Sequence, residues 1–160
     1  MKIKKVKIAA AVIAGLAAIG AFRPALRAQQ TAETPRSVWD GVYTEEQAKR
    51  GEPLYYRECS TCHGEALEGK DESPSLAGSD FVSAWNGLLL SKLFDKIRLT
   101  MPKDGPGQVG LQQKADILAY VLSVNKFPAG KKELSQKSEE LKEIRFESKR
   151  PEGKTETTNK

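Results

Sequence analysis

The chain has 160 residues, 39% of them apolar and 29% charged, enough for one domain with appendages and too few for two. Its formal charge of +5 is a poor guide to partners, because residues 1–28 hold six basic residues and no acid. The remainder, with 20 basic and 21 acidic residues, is net −1, which leaves no case for nucleic-acid binding.

The first segment, "MKIKKVKIAAAVIAGLAAIGAF", has the layout of a secretory leader: Lys2, Lys4, Lys5 and Lys7, then an uncharged run from Ile8 to Phe22. That run of 15 residues is short against the roughly 20 a membrane-spanning helix needs. Residues 1–28 are therefore expected to be a signal peptide cut after Ala28, or else an uncleaved anchor. No cysteine directly follows the apolar run, so a lipoprotein anchor is not expected.

Residues 29–43 are polar, with Pro35 and Gly41, and read as a linker whose Val38, Trp39 and Tyr43 form a small apolar patch on the domain. A helix is predicted from Thr44, where Thr44 and Gln47 match a capping box and Glu45 and Glu46 suit the positive end of the helix dipole. Pro53 falls inside that pattern, so a kink or a fresh start is expected there. From Gly64 to Gly78 the chain is loop-like, and a second helix is predicted between about Val82 and Leu99 from the spacing of Trp85, Leu88, Leu89, Leu93, Phe94 and Ile97.

"TMPKDGPGQVG" makes an irregular loop holding Met101, and a third helix follows, "LQQKADILAYVLSVN". Leu111, Ala115, Leu118 and Leu122, with Ile117, Val121 and Val124, give it a broad apolar stripe. Residues 131–160 hold nine basic and seven acidic residues. Leu134, Leu141, Ile144 and Phe146 suggest that residues 129–149 partly dock as a helical turn and an extended piece, with disorder over 150–160. The expectation is a mostly helical domain over 44–128, without convincing strands. A domain of about 100 residues buries only about two-thirds of its unfolded surface and profits from something to close around.

"ECSTCHGEALEGK" gathers both cysteines and the only histidine, Cys59, Cys62 and His63, into five positions. Structural zinc needs four such ligands and cannot be completed by three. A redox disulfide is compatible with an exported chain, yet a thioredoxin-like motif requires a βαβ frame that the helical surroundings do not offer. C-x-x-C-H is the spacing of c-type haem attachment: two thiols one helical turn apart reach the two vinyl groups, and the adjacent imidazole projects toward the iron. Apart from the initiator the chain has one methionine, Met101, 38 residues after His63. It is the candidate sixth ligand, with a lysine such as Lys103, or water, as alternatives. His/Met ligation raises the potential of haem iron and closes it to other ligands, which means electron transfer.

With these residues in place the chain resembles a class I monohaem cytochrome c across about residues 44–128, an all-α fold of three to four helices wrapped around one covalently bound haem c. Gly51-x-x-x-Tyr55 and Ala119-Tyr120-Val121-Leu122 resemble the signatures by which the first and last helices cross. Pro74-Ser75-Leu76 resembles the segment whose proline carbonyl accepts the imidazole proton while the leucine packs on the ring. Thr100-Met101-Pro102 resembles the sixth-ligand loop. Trp85 and Arg98 are candidates for packing on haem or binding a propionate, set against plain core packing and a surface position. "NGLLLSKLFDKIRLTMP" and "AYVLSVNKFPAG" look most like small cytochromes associated with quinoprotein dehydrogenases. The resemblance implies a periplasmic, non-enzymatic carrier with a redox donor and acceptor, possible partners being such a dehydrogenase or a terminal oxidase. Membrane contact arises only through an uncleaved leader. The alternative is a haem enzyme or ligand sensor with an open sixth site.

Overall fold

A computed structural model describes residues 36–152. The leader, the first part of the linker and most of the expected tail lie outside the described residues. Within them, β1 (Arg36–Ser37) runs into a 3-10 turn at Val38–Asp40 and then α1 (Glu45–Glu58) and α2 (Ser60–His63). A long loop leads to α3 (Gly78–Trp85), α4 (Leu90–Thr100), α5 (Leu111–Val124), α6 (Ser138–Leu141) and β2 (Ile144–Arg145). The fold is helical, as the sequence pattern predicts.

Thr44 caps α1: its hydroxyl accepts from the Gln47 N–H at 3.1 Å, satisfying one of the donors that a helix start leaves orphaned. Pro53 neither ends nor restarts the helix. It sits on the solvent face of one continuous α1, where water can serve the Lys49 carbonyl that loses its intrahelical donor. α1 and α5 form the main helix pair, and they approach backbone to backbone at Gly51. A Cβ there would overlap the Asp116 carbonyl, so only glycine permits this crossing. Arg50 reinforces it by bridging Asp116 of α5 and Glu133 of the following segment.

The single helix expected over 82–99 is two. α3 ends at Trp85 and α4 starts at Leu90, with Gly87 at φ 80° between them. The apolar spacing continues across the break, but the backbone there has another partner. Gly87 N–H donates to Phe146 O at 2.7 Å, Phe146 N–H returns to Leu88 O at 2.8 Å, and Ser148 N–H donates to Asn86 Oδ1 at 2.8 Å. The C-terminal segment thus takes hydrogen bonds that a continuous helix would have used.

That segment also pairs with the N-terminal one. β2 lies parallel to β1, with Arg36 opposite Ile144 and Ser37 opposite Arg145, a short sheet that the sequence reading did not contain. Gln47, fully buried, grips Leu134 from both sides: its Nε2 donates to the Leu134 carbonyl at 3.0 Å, and its Oε1 accepts the Leu134 N–H at 2.6 Å. Leu134, Leu141, Ile144 and Phe146 all enter the same core as Leu118 and Leu122. Phe146 anchors an aromatic chain, edge-on to Phe127 (5.2 Å) and to Phe81 (6.0 Å), while Phe127 meets Trp39 at 4.9 Å. Arg150, expected to begin a disordered tail, places its guanidinium 5.3 Å from the Trp39 ring centroid. The core therefore draws on residues on both sides of 44–128.

Candidate cofactor site

Cys59 ends α1, and its carbonyl accepts from both Cys62 N–H (3.2 Å) and His63 N–H (3.0 Å), so the five-residue motif is wound into the turn of α2. Both thiols are free; Cys62 is exposed and Cys59 half-buried. Burial, then the nearby Glu58, pushes the Cys59 thiol up to about 11. Redox-active C-x-x-C pairs shift the other way, toward thiolate, and among the described residues no three Cys, His, Asp or Glu side chains gather as a metal cage.

His63 is buried, and its Nδ1 lies 2.8 Å from the Pro74 carbonyl oxygen. A carbonyl only accepts, so Nδ1 carries the proton and Nε2 keeps its lone pair for a metal. The loop is built to return Pro74 to this position. Gly69, at φ 84°, donates to the His63 carbonyl at 2.8 Å, and a Cβ on it would crowd Ser75 N and Ser73 O at 2.7 and 2.8 Å. Leu76 then pairs its N–H with Leu67 O at 2.8 Å. Leu76 is half-buried against the core.

Three supporting roles escape the sequence reading, which names Tyr55 only for the crossing of the first and last helices. Tyr55, fully buried, donates its hydroxyl to the Gly64 carbonyl at 2.6 Å, tying α1 to the residue after His63. Asn125, at the end of α5, donates to Leu76 O at 2.9 Å and accepts from Gly78 N–H at 3.1 Å, clamping the Pro74 loop. Nothing in the local sequence marks Asn125. Lys114 could have been found, because it is a charge on the apolar stripe of α5, one position from Ala115.

Met101 follows α4 directly, half-buried, in extended conformation, with its N–H on Ile97 O at 3.1 Å and a cis peptide bond to Pro102. Arg98 pairs with Asp95 at 2.6 Å, and Trp85 packs on Phe81 at 6.5 Å. Lys103, the alternative ligand, is exposed. The structure thus holds Cys59, Cys62 and His63 on the α1–α2 turn, brings Pro74 of the following loop against His63, and sets Met101 on another loop. Arg98 and Trp85 have protein partners of their own.

Residues 46–121 match a family model described as cytochrome c oxidase, cbb3-type, subunit III. No curated protein and no solved structure matches significantly. The donor chemistry fits the group this family carries: two free thiols one helical turn apart, and an imidazole whose outer nitrogen is left free by its hydrogen bond. Among the described residues no helix is long and apolar enough to cross a membrane. Residues 46–121 are a class I-like monohaem cytochrome c domain, whose cofactor is covalently bound haem c.

Proposed function

We propose that the protein is a periplasmic carrier of single electrons, with haem c held by thioethers to Cys59 and Cys62 and its iron ligated by His63 Nε2 and Met101. The observation that carries this reading is the 2.8 Å contact between His63 Nδ1 and Pro74 O, which fixes the tautomer able to ligate. The haem supplies the one-electron couple. Cys59 and Cys62 would hold it as thioethers, each thiol adding across a vinyl group with its sulfur on one carbon and its proton on the other. The protein's part is to hold the imidazole, supply the thioether, keep water from the iron and leave a haem edge within reach of partners. It makes and breaks no substrate bonds.

The partners are a redox donor and acceptor. The likeness of the α4 and α5 stretches to cytochromes of quinoprotein dehydrogenases supports such an enzyme as donor, and the oxidase-subunit family model supports a terminal oxidase as acceptor. The leader delivers the domain to the periplasm and, where uncleaved, tethers it. Visible spectra of the exported protein, with its mass, test the reading. Low-spin bands when reduced, an absorption near about 695 nm when oxidised and indifference to carbon monoxide are expected. Ready carbon monoxide binding by the native protein overturns the carrier in favour of an open-site enzyme or sensor.

A further inference from the structure

Lys114 lies in the first turn of α5 and is only 2% exposed. Its ammonium donates to two carbonyls, Arg98 O at 3.1 Å and Pro106 O. Among the described residues no carboxylate pairs with it. The position is unfavourable on two counts: burial disfavours the charge, and the N-terminus of a helix repels a cation. Burial also holds its pKa below the usual lysine range. A leucine or methionine would fill the same space without either cost, so core filling does not account for a lysine.

The two acceptors do. Arg98 belongs to the last turn of α4, whose carbonyls lack intrahelical donors, and Pro106 lies in the loop between α4 and α5. Met101 falls between them, three residues after one and five before the other. One ammonium therefore closes both ends of the segment that carries the thioether. The same cation and Cys59 are within electrostatic reach of each other, which places the latch beside the haem-attachment turn.

We propose that Lys114 is a positioning residue for the sixth ligand: its two hydrogen bonds latch the 98–106 segment so that Met101 stays on the iron and exogenous ligands stay off. This rests on the reading of Met101 as ligand. The fixed end of the loop is α5, and the free end would otherwise be held by turns of its own, Gly105 N–H to Pro102 O at 3.2 Å and Gln108 N–H to Gly105 O at 3.0 Å. Those turns shape the loop without attaching it to the domain.

The test uses the full chain, exported and loaded with haem, and imidazole as the probe of the ferric iron. Lys114→Met is expected to keep covalent haem but to bind imidazole about tenfold tighter or more, the worth of one charge-assisted hydrogen bond, with a weakened band near about 695 nm. Lys114→Arg, which restores both donors, is expected to return the affinity toward the wild-type value. Lys114→Gln keeps an amide donor group without the charge, gives an intermediate affinity and carries the comparison if Lys114→Met does not accumulate. A merely structural lysine would lower the denaturation midpoint and leave imidazole affinity in native conditions unchanged, and that result overturns the latch. If the wild type lacks the band and Met101→Ala leaves its spectrum unaltered, the ligand reading falls and the latch with it. A wild-type band with imidazole affinities alike in Met, Gln and Arg variants sinks the latch alone.

Discussion

Gly51 of α1 faces the backbone carbonyl of Asp116 in α5 so closely that a methyl group at position 51 would overlap it and meet Ile117 N at 3.0 Å. Both obstacles are backbone, so neither can rotate aside. Gly51→Ala must push the two helices apart and is expected to cost roughly 3 kcal/mol, at the upper end of overpacking effects. Denaturant unfolding of the haem-loaded protein checks this, and an unchanged midpoint would contradict the close crossing.

The C-terminal segment is predicted to be part of the stability of the domain. Gln47→Ala leaves the Leu134 N–H and carbonyl buried without partners, at roughly 3 kcal/mol for the pair. Phe146→Ala removes the centre of the aromatic chain, at roughly 4 kcal/mol. Limited proteolysis should then cut beyond residue 130 before it cuts α1 or α5. Equal resistance in wild type and variants would mean that the segment is only a surface covering.

Tyr55→Phe is expected to destabilise by about 1–2 kcal/mol, because the Gly64 carbonyl loses its donor in the interior. The ring itself stays, packed 5.5 Å from Tyr120. Covalent haem content should be unaffected, as read by the pyridine haemochrome spectrum. A loss of haem without a loss of stability would give Tyr55 a role in attachment.

Acid should loosen α6 from α4. The Arg98 guanidinium, and then the Ser138 hydroxyl, hold the Asp95 carboxyl below the usual carboxylate range. A depressed folded-state pKa gives stabilisation that is present above about pH 4 and lost as pH falls through the folded value. Asp95 and Arg98 side chains are 28% and 35% exposed, so the effect is a few tenths of a kcal/mol. Asp95→Asn removes it near pH 7 and flattens the acid limb of the stability curve. Parallel curves for both proteins would exclude this contribution.

Met101→Ala is expected to retain covalent haem, to lower the reduction potential and to admit carbon monoxide to the ferrous iron. Potentiometry and carbon monoxide difference spectra read the two effects. Loss of neither would return the sixth position to Lys103 or water.

The parts legible in the sequence are those set by near neighbours. The Thr44 cap, the helix of Leu111–Val124 and the Cys59–His63 turn each depend on residues within one or two helical turns of one another. The break between α3 and α4 is not legible because apolar spacing runs through it, while its cause is the distant backbone of residues 146–148. The β1–β2 pairing and the Gln47–Leu134 grip join residues 108 and 87 positions apart, and no local pattern encodes such a meeting. Pro74 was named from family resemblance, since a backbone carbonyl leaves no mark in side-chain chemistry. Lys114 is legible only as a charge among apolar neighbours, and its two carbonyl partners lie in the preceding helix and loop.

The β1–β2 pairing has one more consequence. Residue 36 lies against residue 144, and the Trp39 indole donates to Glu147 O at 2.9 Å, so the described chain leaves the domain where it came in. Topologically the domain is nearly a ring. Its ends could be joined by a short linker and the chain reopened in the exposed bend around residues 131–132, giving a circular permutant. For the same reason the whole unit could be spliced into a surface loop of another protein as a redox insert, occupying little more room at the junction than a hairpin.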